Sequence, residues 1–431
     1  MGSLIVRVVT LGCKVNQVES AEIIEALNND KELYVNASAG LDPADVYVLN
    51  TCSVTAEADR KSRQYISKMQ KLSPDSRIIV VGCSSQNCAE KFNKHGVIGV
   101  GGTTDKTEFV VDTIRKNAEN IKSILSDRIL LRKNADFYAK NRVKFANKDK
   151  TRAFIKIQDG CDRFCTYCII PYLRGRSRSI APEKIIVECQ KIDSKEIVLT
   201  GIDISDYGKD IGLGLSDLIG SLSEIKARKR LGSLECEIVD DKLLSAMEQG
   251  GYCPHFHLSL QSGSSAVLKT MNRHYDTDFF LSKIELIRKY FPLAGITTDV
   301  IVGFPTETED LFEESCAFIK RCAFSDIHVF TYSSRRGTLA SRKYAPLTKD
   351  VVANRVAKLL DIKHKLRNDF FIKNSGQKAP VYFEEKKDEL CVGYTPNYIK
   401  VYADAHCGDI IDVKLTERYD DGMLGVLTDC Q

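Results

Sequence analysis

Short runs of β-branched and aliphatic residues alternate with charged stretches of helical period through the first hundred residues. That pattern predicts a parallel sheet with helices packed on it. Three of the runs end alike: VRVVTLGC closes on Cys13, VYVLNTC on Cys52 and RIIVVGC on Cys83. In an open α/β sheet the carboxyl ends of parallel strands share one edge, where ligands bind, so the three cysteines are expected to converge. The alternative is three unrelated core thiols. A fourth run leads into GVGGTTD, residues 99–105. It lacks the spacing of a dinucleotide or P-loop fingerprint and reads as a glycine turn into a helix capped near Thr103 or Thr104.

A basic stretch, RKNADFYAKNRVKFANKDKTR, marks a boundary near residues 130 to 150. Beyond it the pattern resumes in AFIKIQDGC, EIVLTGID, RLGSLEC, HFHLSLQSG, TTDVIVGFP and IHVFTYSS, six strand candidates most of which precede a helical pattern. Such repetition predicts a full or partial parallel β/α barrel with its chemistry at the carboxyl ends of the strands. Val352, Val356, Leu359, Leu366 and Phe370 keep near-helical spacing between Thr348 and a Ser375-Gly376 stop, so one long helix is expected there. From about residue 377 short strands and turns predict a compact all-β barrel. The fold class is therefore α/β with a small all-β appendage, divided at 1–140, 147–371 and 372–431.

Composition narrows the setting. A chain of 431 residues can hold two or three cores. No window approaches the roughly 18 apolar residues of a membrane span and the N-terminus has no signal-peptide pattern, so a cytoplasmic protein without a membrane partner is expected. In that compartment fifteen cysteines point to metal or redox chemistry rather than disulfides. The net charge of +4 is uneven: residues from Ile372 onward carry 7 basic against 11 acidic side chains, and the rest 55 against 47. A polyanion is expected to meet the first 371 residues.

The strongest local signal is DGCDRFCTYC, in which Cys161, Cys165 and Cys168 are spaced C-x3-C-x2-C at the end of the first barrel strand. Three thiolates on a tight loop can hold three irons of a four-iron cluster and leave the fourth open. Zinc is the competing reading, but structural zinc takes four closed ligands and the loop offers no fourth.

This spacing, with Tyr167 before the last cysteine and a barrel downstream, resembles the radical S-adenosylmethionine (radical SAM) superfamily. The whole set, LGCKVNQVES, NTCSVT, VVGC, GCDRFCTYCIIPYLRGRSRS, LQSGSSAVLKTMNRHY and DVIVGFPTETEDLF, is similar to its methylthiotransferase family, with a C-terminal TRAM-type barrel. The resemblance implies two [4Fe–4S] clusters, an auxiliary one on Cys13, Cys52 and Cys83 and a radical-generating one on Cys161, Cys165 and Cys168. It implies that SAM serves both as methyl donor and as source of a 5′-deoxyadenosyl radical, in a pocket lined by Tyr167, Gly201, Glu235 and Gln261. No further catalytic acid or base is implied. The other nine cysteines read as core or surface thiols. Thr306 and Cys236 depart from the family pattern, which favours glycine and proline there, without touching a cluster ligand.

The resemblance also implies the substrate. CKVNQ is closest to the branch that acts on N6-threonylcarbamoyladenosine at position 37 of tRNA and gives its 2-methylthio derivative. The alternatives are N6-isopentenyladenosine in tRNA, a ribosomal-protein aspartate, or a non-catalytic RNA-binding protein with structural metal. Lys14, Asn16 and Gln17 become candidate substrate contacts. In LRGRSRS, Arg174, Arg176 and Arg178 stand two apart, so an extended segment would aim all three one way, toward phosphate or carboxylate or into a solvated face. RKSR at 60–63 and KARKR at 226–230 read as solvated charge. Tyr394, Tyr398 and Tyr402 are candidate base-stacking surfaces on a net-acidic module. The expected partners are a tRNA anticodon stem-loop and an electron donor of unknown identity, with the chain a monomer.

Overall fold

The computed structural model describes residues 4–33, 35–117, 130–131 and 152–428; most of the basic stretch read as a boundary lies outside them. The N-terminal sheet is parallel, with spatial order Val35–Ala39, Leu4–Thr10, Val46–Thr51, Arg77–Gly82, Val97–Val100, Leu130–Leu131. Val46–Thr51 and Arg77–Gly82 are buried along their whole length, which is why they read as unbroken apolar runs. Helices Lys14–Asn28 and Lys106–Asn117 cover one face through Ile23, Leu27, Phe109 and Ile114; Ala56–Leu72 covers the other through Ile66 and Met69. The glycine turn does lead to a helix, but the helix begins at Lys106. Thr103 is not its cap: the hydroxyl donates instead to the Leu173 carbonyl, 2.7 Å away in the next part of the chain.

All six barrel candidates form strands that pair in parallel; the end of the first, Gln158–Asp159, pairs antiparallel with Arg178–Ser179 instead. Arg152–Lys156, Glu196–Thr200 and Arg228–Leu231 make one sheet; Ser233–Leu234, His255–Gln261, Gly295–Val302 and Asp326–Thr331 make another. RLGSLEC is split at Gly232, so one predicted strand supplies both sheets. No pairing joins the first of these strands to the last among the described residues, and the barrel is partial. Helix Lys14–Asn28 leans on Arg152–Lys156, its Glu19 3.0 Å from the Lys156 ammonium. No helix among the described residues is long and apolar enough to cross a membrane.

The long helix runs Lys349–Asn374, with Thr348 at its start and Gly376 at φ +81° past its end, as the pattern predicted. It packs on strand Asp326–Thr331 and on the C-terminal unit. That unit is a closed barrel in the order Lys378–Lys387, Leu390–Tyr394, Lys400–Ala403, Gly422–Leu427, Ile410–Tyr419 around Phe383, Val401, Val413 and Met423.

Three expectations fail here. Cys391 and Cys407 are not free thiols: the turn before Ile410–Tyr419 brings their Cα atoms to 5.9 Å and they form a disulfide. Tyr402 is buried and its hydroxyl donates to Asp421 at 2.5 Å, so it offers no face to a base. The 226–230 run is not solvated charge either. Arg228 donates to Glu196 at 2.5 Å and to the Tyr394 carbonyl, and buried Arg230 donates to Glu196 and, at 2.8 Å, to the Pro396 carbonyl. Arg152 completes the set with Glu196 at 3.1 Å and Glu384 at 2.5 Å. One fully buried carboxylate thus gathers three guanidiniums, with Glu384 as a second partner of Arg152, and the group docks the C-terminal barrel against the amino ends of the half-barrel strands. In the run at 60–63, Arg60 and Lys61 stay exposed, Arg60 beside Glu57, while Ser62 is buried.

Candidate active site

Cys13, Cys83 and Cys161 each follow a glycine at positive φ: Gly12 at +99°, Gly82 at +110° and Gly160 at +76°. The reason is space as well as torsion. A Cβ on Gly12 would lie 2.7 Å from the Cys52 sulfur, and one on Gly160 would lie 1.9 Å from the Arg176 carbonyl oxygen. Each turn folds its cysteine back over the strand edge. Cys13 and Cys83 both act electrostatically on Cys52, and Cys165 and Cys168 on Cys161, so both triplets gather as the strand endings predicted.

The two triplets also face each other. Cys83 packs on Ile169 and Leu173, just after Cys168, and Cys168 feels its charge. The union is tied by side chains from both parts. Arg335 donates to Ser53 at 2.6 Å and pairs with Asp59, and the Ala56 amide donates to Ser333 at 3.0 Å.

All six thiols are free. Burial pushes Cys52 up to about 11, Cys168 up to about 12 and Cys161 further still. Opposing this, the amides of Val54, Arg163 and Ile170 donate to Cys52, Cys161 and Cys168 respectively, each from two residues on. Arg273 Nη1 donates to the Cys165 sulfur at 3.3 Å. Donors aimed at sulfur fit thiolates that carry an iron–sulfur cluster.

Of the four residues expected to line a SAM pocket, Tyr167 lies by Cys165 and Cys168, and Glu235 is linked to Cys165 through Arg273. Tyr167 packs edge-on to Phe304 with ring centres 6.5 Å apart. Gly201 abuts Gln158, whose Oε1 would be 2.9 Å from a Cβ there. Buried Glu235 is raised by desolvation, and paired Arg273 and nearby Arg163 oppose that. Gln261 ends its strand at φ +71° beside a break in register. Sequence reading missed Arg273 and Arg163. Arg273 also donates to the Ser259 carbonyl at 3.0 Å, and Arg163 pairs with Asp203 at 2.6 Å and Glu237 at 2.9 Å. Arg273 lies within the LKTMNRHY stretch, among polar neighbours that gave no local signal of its burial.

The arginine trio is not aligned as expected. Helix Ile170–Arg174 and the turn at Gly175, φ +76°, break the extended segment. The Arg174 side chain is 1 % exposed and reaches Glu19 at 2.9 Å and Asp159 at 3.0 Å; that of Arg176 is 73 % exposed beside Asp162; Arg178 pairs with Asp159 at 3.0 Å. Lys106 and Lys156 join the same buried group on Glu19. Asn16 is equally committed: it donates to the Leu11 and Thr51 carbonyls at 2.7 and 3.0 Å and accepts from Arg174 at 2.9 Å. Gln17 lines a separate shallow cavity with Thr10, Ser20 and Tyr65. Lys14 alone of that turn points into the half-barrel, with its ammonium 5.6 Å from the centre of the Phe154 ring. Burial and the guanidiniums of Arg152 and Arg230 lower its pKa, and Glu196 opposes them.

Comparison with known proteins agrees with this architecture. Residues 155–319 match the Radical SAM superfamily and residues 5–100 match Uncharacterized protein family UPF0004. The threonylcarbamoyladenosine tRNA methylthiotransferase MtaB of Bacillus subtilis (strain 168) is 37 % identical over 426 residues, 94 % of this chain and 92 % of that protein. The tRNA-2-methylthio-N(6)-dimethylallyladenosine synthase of Oceanobacillus iheyensis is 33 % identical over 97 % of this chain and 83 % of its own. Among solved structures, the radical S-adenosylmethionine methyltransferase TsrM from Kitasatospora setae shares the fold alone, with a TM-score of 0.55 at 10 % identity over 79 % of this chain and 77 % of that one. Two facing cysteine triplets on a partial barrel, and full-length kinship at this level, place the chain in the radical SAM methylthiotransferase family.

Proposed function

We propose that this protein is a tRNA methylthiotransferase that converts N6-threonylcarbamoyladenosine at position 37 to its 2-methylthio derivative. The observation that carries the reading is the approach of the two cysteine triplets, with Cys83 packed beside the residues that follow Cys168. Full-length similarity to a protein named for that activity supports the substrate. Similarity to a dimethylallyladenosine synthase marks the alternative tRNA substrate.

Radical SAM chemistry uses S-adenosylmethionine and a [4Fe–4S] cluster, and Cys161, Cys165 and Cys168 are assigned to that cluster. Cys13, Cys52 and Cys83 are assigned to a second, sulfur-supplying one. When bound, these groups supply reductive cleavage of SAM and the transferred sulfur. The chain's own residues position and exclude: Arg273 and the Arg163, Val54 and Ile170 amides fix the sulfurs, while Tyr167, Gly201, Glu235 and Gln261 wall the SAM side. The division into 1–140, 147–371 and 372–431 gives each function its own unit, with the third positioning tRNA on a cytoplasmic monomer served by a separate electron donor.

The test is turnover of anaerobically reconstituted full-length protein on tRNA carrying either modified adenosine. The 2-methylthio product should form from the threonylcarbamoyl substrate. Product from the isopentenyl substrate alone contradicts the reading.

A further inference from the structure

A cavity of about 550 Å³ opens between the half-barrel and the C-terminal barrel, within the usual range for small-ligand sites. All three parts of the chain wall it: Lys14 from the first, Arg152, Arg230 and His255 from the strand starts, Tyr398 from the third. It lies apart from the pocket assigned to SAM.

Its polar groups are only partly satisfied. Arg152 spends Nε on Glu384 and Glu196 and donates from Nη1 to the Tyr398 hydroxyl at 3.0 Å, yet its Nη2 is buried with no hydrogen-bond partner. His255 stacks on Tyr398 with ring centres 4.4 Å apart and 10° between planes, and its buried Nδ1 also has no partner. Lys14 lines the cavity and forms no ion pair among the described residues. Buried polar atoms without partners are costly unless something binds them, and an ammonium beside a guanidinium selects an anion. Asp299 and Asp326 on another wall, paired with His257 and Lys363, favour a singly charged group over a phosphate. Lys14 directly follows Cys13, so the cavity wall and the sulfur-side triplet are joined by one peptide bond.

We propose that this cavity is the subsite for the threonyl end of the N6 side chain, its carboxylate held by Lys14 and the free Nη2 of Arg152, its hydroxyl by His255 Nδ1. The inference rests on the substrate reading above and deepens it. The isopentenyl group has neither function, so the same residues decide between the two tRNA substrates.

Fluorescence anisotropy on full-length protein reads the preference for a synthetic anticodon stem-loop bearing threonylcarbamoyladenosine over the same loop with unmodified adenosine. The expected preference is on the order of ten- to hundredfold. It should fall toward one in Lys14→Gln, persist in Lys14→Arg, and fall in the wild type when the threonyl carboxylate is methyl-esterified. An unchanged preference in both Lys14→Gln and the ester overturns the subsite, even where the wild type turns over the threonylcarbamoyl substrate. A wild type that acts only on isopentenyl tRNA removes the substrate reading, and the subsite with it.

Discussion

The two ends of the half-barrel solve opposite problems with the same residue types. At the carboxyl ends of the strands, Glu19 and Asp159 gather Lys106, Lys156, Arg174 and Arg178 beside the two cysteine triplets, so the cations outnumber the carboxylates where thiolates approach. At the amino ends, Glu196 gathers Arg152, Arg228 and Arg230, Glu384 is a second partner of Arg152, and the group borders a cavity in which Arg152 Nη2 has no partner. The first arrangement is closed and holds two parts of the chain together around sulfur. The second is left incomplete on one side, which is what a recognition site requires and a structural one avoids.

The contrast is broken most severely by Glu19→Gln. Removing the carboxylate from a buried group with three cations should cost about 3–5 kcal/mol in unfolding free energy, read by denaturant titration. The same residue sets a pH dependence. Its neighbouring cations hold the Glu19 carboxyl well below the ordinary value of 4.5, against desolvation. Its contribution is therefore complete above that value and is lost as pH falls below it, so the wild-type melting temperature should drop in acid more steeply than that of Glu19→Gln. Equal slopes would mean that Glu19 is not ionised in the folded protein.

A smaller effect sharpens the cluster end. Arg273→Lys keeps the charge but cannot reach the Cys165 sulfur, Glu235 and the Ser259 carbonyl together, and 5′-deoxyadenosine formation should fall roughly ten- to hundredfold, as for lost outer-shell partners of a metal site. Smallest is Tyr398→Phe at the other end. It removes the acceptor for Arg152 Nη1 and should cost about 1 kcal/mol, read as a modest shift in denaturant midpoint.

What was legible in the chain follows from locality. Cys161, Cys165 and Cys168 lie on one loop, and Cys13, Cys52 and Cys83 each end an apolar run, so spacing and strand endings revealed both triplets. The long helix and the six barrel strands had periodicity enough to be read. Arg174 and Asn16 misled because their residue types suit a ligand, while their partners Glu19, Asp159 and the Leu11 and Thr51 carbonyls are visible only after the parts dock. Arg228 and Arg230 misled likewise: a charge run reads as solvated unless the distant Glu196 and the Tyr394 and Pro396 carbonyls are known to meet it. The Cys391–Cys407 disulfide was read against because a reduced compartment was assumed for every cysteine. The cavity was the least legible feature, assembled from Lys14, Arg152, Arg230, His255 and Tyr398, which no local pattern connects.

The central claim, that two triplets of different duty face each other, is tested most directly by assaying one variant for both products. Cys13→Ala, reconstituted anaerobically, should lose about half of its iron, still form 5′-deoxyadenosine from SAM, and make no 2-methylthio nucleoside. Loss of both products from a folded Cys13→Ala protein that retains the iron of the Cys161–Cys168 loop would contradict that division.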